Sequence, residues 1–290
     1  MPLTRRLPVP ALAAALLPGA AQAHGLALDG HLPEAPTLLN ALLLALAWAG
    51  WGFGARRVPP RRGERLALHA AAGLSALALF GPFDDGAPAL GLAPGAALHM
   101  AQHMLLMVVI APLWVIARPL PQWRALLGAR ADPLWKAALR PARSPMACAV
   151  LHGAAVWAWH APAVYDLAVT GPWWHLAEHA CFLFTAWLFW WSVLRAPARR
   201  QAQALFALLF TLMHTGMLGA LLSFARAPFY LDAPDLADQQ LAGLLMWVPG
   251  GLAYVGAAAG CGWRWFSRLE ARGLRPAPGP HRKPNLERHS

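Results

Sequence analysis

The sequence predicts an all-α, polytopic integral membrane protein with seven transmembrane helices after a cleaved signal peptide, its N-terminus outside and its C-terminus cytoplasmic. Three observations predict this fold class. Hydrophobic residues make up 58% of the 290 residues and charged residues 13%, which is too apolar for a water-facing surface. The apolar residues form runs of about 20, the length that a helix needs to cross a bilayer. Lys and Arg collect in the linkers on one side of these runs.

The first 23 residues have the pattern of a secretory signal peptide. Two arginines precede an apolar stretch, and residues 21–23 (Ala-Gln-Ala) match the small-x-small pattern of a cleavage site. Prolines inside the stretch make it a poor spanning helix. We therefore expect cleavage after Ala23, which leaves a short outer segment over residues 24–35.

A membrane domain is expected over residues 36–265, followed by a basic cytoplasmic tail over 266–290. Linkers rich in Arg and Pro divide the domain into apolar runs, each of which we interpret as one transmembrane helix. The seven runs lie at about 36–55, 64–82, 95–117, 144–161, 172–194, 202–224 and 239–263.

The distribution of cations predicts the orientation. The linkers after the first, third and fifth runs and the C-terminal tail hold five, six, three and seven of the 24 Lys and Arg, whereas the opposite side holds only Arg226. Cytoplasmic loops carry the excess of Lys and Arg, so this asymmetry places the tail in the cytoplasm. The net charge of +11 is therefore a topology signal, and we expect the lipid bilayer rather than nucleic acid as its partner.

Histidine is the residue type that carries chemistry in this chain. Ionisable groups inside a membrane are costly and usually face a cavity, a partner or a cofactor. Three cysteines occur singly, so any metal chemistry rests on histidine. Eight of the twelve histidines lie within the runs or at their ends: His69, His99, His103, His152, His160, His175, His179 and His214.

Two pairs of histidines predict a metal site near the outer surface. His99 and His103 lie one and two turns into the third run, and His175 and His179 repeat this spacing in the fifth run. Residues at i and i+4 share one face of a helix. Two such pairs on neighbouring helices suit a transition metal, because neutral imidazole is a common ligand for copper and zinc.

Further donors lie near these pairs. His160 ends the fourth run at the outer side, and Glu178 lies between the two histidines of the fifth run. A carboxylate there acts as a ligand, an orienting partner or a proton acceptor. Met100, Met104 and Met107 form a stripe along the third run, and thioether sulfur suits Cu(I), although packing alone produces the same stripe.

Other interpretations of the histidines stay open. Paired histidines on facing helices also clamp a b-type haem, which would make the chain an electron-transfer protein. Residues 175–179 match the HxxEH pattern of zinc hydrolases, which requires a third ligand and an open coordination position. His69, His152 and His214 lie deeper, and we expect them to be hydrogen-bonded structural groups.

Several motifs resemble the CtaG family of caa-type cytochrome c oxidase assembly factors, over about residues 36–265. They are Gln102-His103 with Ala111-Pro112 and Arg118-Pro119, Trp159-His160-Ala161-Pro162 with Tyr165, His175-x-x-Glu178-His179, and residues 238–243 with 246–251. The resemblance implies a multi-pass protein of the bacterial plasma membrane that is linked to copper and is not an enzyme. Its implied partners are cytochrome c oxidase subunits and extracytoplasmic copper carriers.

Carried over position by position, the resemblance covers only part of the candidate site. The matching residues are His103, His160, His175, Glu178, His179, Asp238 and Gln239, whereas His99 and the methionines come from spacing alone. Asp238 opens the seventh run, where capping of that helix explains it as well as a metal role. Gln239 and Gln240 are expected to bond to neighbouring helices.

The expected function is copper handling during assembly of a haem–copper oxidase, with a haem protein or a cofactor-free assembly scaffold as the alternatives. An additional copper ligand would arise from processing. Cleavage after Ala23 would give His24 an α-amino group beside its imidazole, which is a nitrogen pair suited to Cu(II). His31 would offer a further nitrogen.

Overall fold

The computed structural model describes residues 34–83, 93–231, 233 and 235–273, and all regular secondary structure in these ranges is helical. The helices are α1 (Ala35–Ala55), α2 (Arg62–Phe80), α3 (Ala96–Ala117), α4 (Leu120–Leu127), α5 (Asp132–Ala138), α6 (Pro145–Trp159), α7 (Pro162–Thr170), α8 (Pro172–Leu194), α9 (Gln201–Ser223) and α10 (Leu236–Gly273). The predicted signal peptide, His24, His31 and the end of the tail lie outside the described residues.

Each predicted run is helical, and four of the helices are long and apolar enough to cross a membrane. These are α1, α3, α9 with the turn before it, and α10. The chain is therefore an integral membrane protein. Helix α6 is apolar but has only 15 residues, three of the first four residues of α2 are charged, and α8 carries a glutamate and two histidines. Seven spans and their orientation stay predictions.

The outward faces of the long helices are apolar. On α9, large side chains repeat at helical spacing and are each about half exposed: Phe206, Leu209, Met213, Met217 and Leu221. In water, a continuous apolar surface of this kind would be a large exposed hydrophobic patch that promotes aggregation, whereas lipid tails solvate it. On the same helix Thr211, His214 and Thr215 are buried, as expected for polar side chains in a membrane.

Helix α3, which carries His99 and His103, contains a π-helical turn over Leu105–Ile110. The Ala111 N–H donates to the Leu106 carbonyl, five residues earlier in the chain. The next residue, Pro112, has no N–H, so no backbone donor remains for the Met107 carbonyl. The indole Nε1 of Trp190 on α8 donates to that oxygen at 2.8 Å. The irregular turn is thus satisfied by a side chain that also fixes α3 against α8.

Helices α9 and α10 approach each other closely at two glycines. A Cβ on Gly219 would lie 2.8 Å from the Gly243 carbonyl oxygen, and a Cβ on Gly243 would lie 2.6 Å from that of Gly219. Only glycine allows the two backbones to meet at this distance, as is common between membrane helices. Helix α10 then continues to Gly273, past the predicted domain boundary at residue 265.

Three basic linkers meet at one end of the bundle. The Arg118 Nε lies 3.8 Å from Glu64 Oε1, and Arg195 donates to the Val115 carbonyl at 2.8 Å. Arg57, after α1, donates to a carbonyl beyond α3 at 2.6 Å. These linkers follow the first, third and fifth predicted runs, and they lie together at one end of the helix bundle. The start of α3 lies at the opposite end of the bundle.

The first prediction concerns Trp190. Replacing it with Phe removes the donor to the Met107 carbonyl. We expect the free energy of unfolding to fall by about 1–3 kcal/mol because this carbonyl loses its partner, in addition to the effect of lost packing. The exposed Trp173→Phe is the matched control, because its side chain is 57% exposed. Denaturant unfolding in detergent measures both variants. Equal stabilities for the two variants would contradict this account of the turn.

Candidate metal centre

Helices α3 and α8 bring two histidines and a carboxylate to one point near the start of α3. The Nε2 atoms of His99 and His103 lie 2.8 Å apart. Glu178 Oε2 lies 3.5 Å from the first nitrogen and 3.6 Å from the second. The i, i+4 spacing therefore places both imidazoles on the face of α3 that meets α8, as predicted.

Four residues have the geometry of a metal site. One ligand atom from each of His99, His175, Glu178 and His179 lies within 4.8 Å of all the others. Ligand atoms around a tetrahedral ion with bonds near 2.0–2.1 Å are separated by about 3.3 Å, so modest side-chain movement would close this group on an ion. We call these four residues the cluster.

The cluster is shielded from solvent. Glu178 is fully buried, His99 and His179 are 5% exposed, and His175 is half-buried. Among the described residues, both Glu178 oxygens and the Nε2 of His179 have no hydrogen-bond partner. A buried charge is costly unless it is paired or coordinates a metal, so this carboxylate requires either a protonated imidazole of His99 or His103, 3.5 and 3.6 Å away, or a bound cation.

His103 and His160 lie next to the cluster but are not part of it. The His103 ring is 5.3 Å from the ring of His179 and 6.0 Å from that of His160. His160 Nδ1 donates to the Val156 carbonyl at 2.8 Å, so its Nε2 keeps a lone pair, and this atom is buried. All six predicted metal residues are therefore brought together, four of them at ligand spacing.

Aromatic residues that we did not assign to the site line it. Tyr165 is fully buried with its ring 5.5 Å from that of His99, and it stacks on Tyr230 at 3.8 Å. The Tyr230 hydroxyl donates to the His160 carbonyl at 3.1 Å. The Phe182 ring lies 4.7 Å from that of His103. Tyr165 belonged to a motif, whereas nothing in the sequence distinguished Phe182 from the other phenylalanines.

Asp238 caps a different helix from the one we predicted. Each of its carboxylate oxygens accepts from the Ala97 N–H at 3.4 Å, at the start of α3. The cap of its own helix, α10, is Asp235, whose Oδ1 accepts from the Asp238 N–H at 2.8 Å. A carboxylate at a helix N-terminus satisfies unpaired N–H groups and favours the helix dipole. Asp238 thus anchors the turn that carries His99.

The two glutamines after Asp238 bind the linker between α9 and α10 rather than neighbouring helices. Gln239 Oε1 accepts from the Phe229 N–H, and Gln240 Nε2 donates to the Ala225 carbonyl at 3.0 Å. These backbone contacts give both side chains a structural role. Accessory metal binding by Asp238 or Gln239 stays a prediction.

The methionine stripe lies in the hydrophobic core. Met100, Met104 and Met107 are all buried within it. The Met104 sulfur faces α10, where a Cβ on Gly250 would lie 2.9 Å from it. Packing accounts for this stripe, and its role as a source of soft ligands stays a prediction.

The three deeper histidines differ from one another. His69 accepts from Trp48 Nε1 at 3.2 Å, and His152 Nδ1 pairs with Thr185 Oγ1 at 3.0 Å, so both are hydrogen-bonded as expected. His214 is not, because neither of its nitrogens has a hydrogen-bond partner in the described part of the chain. The expected hydrogen bonding was therefore wrong for His214, whereas its structural role stays a prediction.

A partly open cleft of about 170 Å³ reaches the cluster between α1, α3 and α8. Its lining includes His175 and His179, together with the polar side chains of Glu34, Asn40 and Gln102. Gln102 Nε2 donates to the Ala78 carbonyl at 2.7 Å, which fixes this part of α3 against α2. The cleft gives small, hydrated solutes access to two of the four ligands.

Comparison with known proteins identifies one family. The family model for the cytochrome c oxidase caa3 assembly factor (Caa3_CtaG) matches residues 41–268, which include the whole cluster. No curated protein and no solved structure matches the chain.

The second prediction concerns the Asp238 cap. Replacing Asp238 with Ala leaves N–H groups at the start of α3 without an acceptor, which should lower the stability of the helix by about 0.5–2 kcal/mol. We expect faster amide hydrogen exchange over residues 96–104, measured by mass spectrometry. Asp235→Ala is the control and should affect the start of α10 alone. Unchanged exchange over residues 96–104 in Asp238→Ala would refute the cap.

Proposed function

Because this chain belongs to the cytochrome c oxidase caa3 assembly factor family, we propose that it supports assembly of a haem–copper oxidase by binding copper at the cluster and passing it on. One observation carries the proposal: the ligand atoms of three imidazoles and a buried carboxylate converge within 4.8 Å. Oxidase copper centres are themselves bound by imidazoles within the membrane. A donor with the same ligand type exchanges the ion by replacing ligands one at a time.

Charge favours monovalent copper at the cluster. Glu178 is the carboxylate of the group and is fully buried. One Cu(I) ion and one carboxylate are neutral together, whereas a divalent ion would leave a net positive charge in a low-dielectric interior. The cost of burying charge rises with the square of the charge, so the neutral pair is the most stable.

His103 and His160 supply places for the ion to move. His103 Nε2 lies 2.8 Å from His99 Nε2, so an ion held by His99 needs only a small shift to reach it. His160 Nε2 keeps a buried lone pair beyond it. Ligand exchange along these imidazoles would lower the barrier to release, because the ion never loses all its donors at once.

The cleft is the proposed route for copper. Its polar lining lets the ion keep some oxygen donors until it reaches His175 and His179. In the predicted orientation the cleft faces the outer surface, where we propose that extracytoplasmic copper carriers and oxidase subunits have access. Glu34 lines the cleft and belongs to the predicted outer segment over residues 24–35. His24 and His31, which lie outside the described residues, are proposed as further copper donors from this segment. N-terminal sequencing that finds no cleavage after Ala23 would remove the role of His24.

The geometry favours this function over the alternatives. A cleft of about 170 Å³ is smaller than the ~300–1,000 Å³ typical of sites for larger organic ligands, which argues against a haem. In a zinc hydrolase of the HxxEH type the glutamate acts on water, whereas Glu178 lies among the ligand atoms. A cofactor-free scaffold would leave the buried Glu178 carboxylate paired only with a protonated His99 or His103, at 3.5 and 3.6 Å.

The third prediction tests the cluster. Replacing His175 and His179 with Ala removes two of its four ligands, so we expect copper content to fall by about one equivalent per chain after growth with copper. His69→Ala is the matched control, because that histidine bonds to Trp48 outside the cluster. Mass spectrometry of metals on the detergent-purified protein gives the stoichiometry.

The same sample discriminates between the alternatives. Its visible spectrum shows no Soret band if copper is the cargo, and a band that disappears in a histidine variant would establish haem instead. Unchanged copper content in the His175/His179 variant would refute the cluster as the copper site.

A further inference from the structure

Two histidines on α6 and α9 form a pair that the cluster does not use. His152 is fully buried, and His214 is 6% exposed. His152 lies eight residues before His160 on the same stretch of chain, which is about 12 Å along a helix axis at 1.5 Å per residue. The pair therefore lies deeper in the bundle than the cluster.

The hydrogen bonds of Thr185 determine which nitrogen of His152 carries the proton. The Thr185 hydroxyl donates to the Cys181 carbonyl at 2.7 Å. Its oxygen therefore accepts from His152 Nδ1, which lies 3.0 Å away. The proton on Nδ1 leaves a lone pair on Nε2, and this buried Nε2 has no hydrogen-bond partner in the described ranges.

The His214 ring is seated against the turn of α6 that carries His152. A Cβ on Gly153 would lie 2.9 Å from His214 Nε2, so glycine makes room for the imidazole. Because Gly153 directly follows His152, this Nε2 lies one residue along α6 from His152, the second histidine of the pair. Within the described residues, neither nitrogen of His214 has a hydrogen-bond partner.

Three nitrogens without partners in one interior site require an explanation. A buried polar group without a partner is costly, and most such groups in proteins are satisfied. Two neutral imidazoles can each offer one lone pair to an ion between them. Neither ring has a carboxylate among the contacts described for it, so an ion of the smallest charge is the least costly to bury there.

We propose that His152 and His214 form a second metal site, a two-imidazole site for a soft monovalent ion such as Cu(I). A d¹⁰ ion of this kind accepts two-coordinate binding, whereas Zn²⁺ prefers four ligands. Thr185 is the positioning residue, because its hydroxyl fixes the imidazole that binds. The proposal rests on the proposed function only for the choice of copper as the cargo. It gives the chain a second binding site for the ion, deeper in the helix bundle than the cluster.

Anaerobic titration of the purified chain with Cu(I) against a chromophoric chelator counts the sites. We expect about two equivalents for the unmodified chain and about one for the His152→Ala, His214→Ala double variant. The His175→Ala, His179→Ala variant should also keep about one, because it loses the cluster alone. The four substitutions together should abolish binding.

Two milder variants test the site without removing a ligand. Gly153→Ala places a Cβ against the His214 ring and should abolish the inner equivalent. Gly216→Ala on α9 is its control, because the added Cβ would make ordinary contacts at 3.5 Å or more. Thr185→Val should weaken the inner site by about 10–100-fold, as losing an orienting partner of a metal-bound histidine does.

The outcomes separate the two proposals. If the His152/His214 variant and Gly153→Ala both bind as much Cu(I) as the unmodified chain, the inner site is refuted while the cluster stands. If the unmodified chain binds a single equivalent that the His175/His179 variant loses, the inner site is again refuted. If the His175/His179 variant binds as much Cu(I) as the unmodified chain, but Gly153→Ala binds less, the inner site is supported and the cluster is refuted.

Discussion

The burial of the Glu178 carboxylate among imidazoles is the constraint on which the rest of the site depends. The side chain is fully buried, and both its oxygens lack a hydrogen-bond partner among the described residues. Such a group is stable in a membrane interior only when a cation is nearby. The surrounding nitrogen donors supply the means to hold that cation, and the cleft supplies its access. In the proposed function, the charge of this one residue accounts for both the composition of the cluster and the preference for a monovalent ion.

The helices around the cluster are held by contacts that bring its ligands into register. Asp238 on α10 caps the start of α3 just before His99, and Trp190 on α8 satisfies the irregular turn that follows His103. Because both contacts are made by neighbouring helices, they fix the position of α3 against α8 and α10. A soluble protein would rely on a hydrophobic core for this purpose. In a membrane, hydrogen bonds and close backbone contacts between helices take that role.

Much of this arrangement followed from the sequence, because membrane helices and i, i+4 pairs depend on local patterns. The spacing of His99 and His103 was sufficient to predict a shared face, and the family resemblance is confirmed over residues 41–268. The partner of Asp238 could not be predicted, because its acceptor role depends on which helix lies beside α10. His214 was misjudged for the same reason: the room beside Gly153 exists only once α6 and α9 are packed. Local patterns therefore predict the elements and some ligands, whereas contacts between helices decide which polar groups stay unsatisfied.

The most direct test of the central claim is the copper content of Glu178→Gln. Glutamine has nearly the shape of glutamate and leaves every imidazole in place, so this variant changes the charge of the cluster and little else. The account predicts that the variant loses about one equivalent of copper per chain while keeping the helical content and detergent-solution behaviour of the unmodified protein. A variant that folds normally and keeps all its copper would contradict the account, because charge neutralisation would then not be what holds the ion.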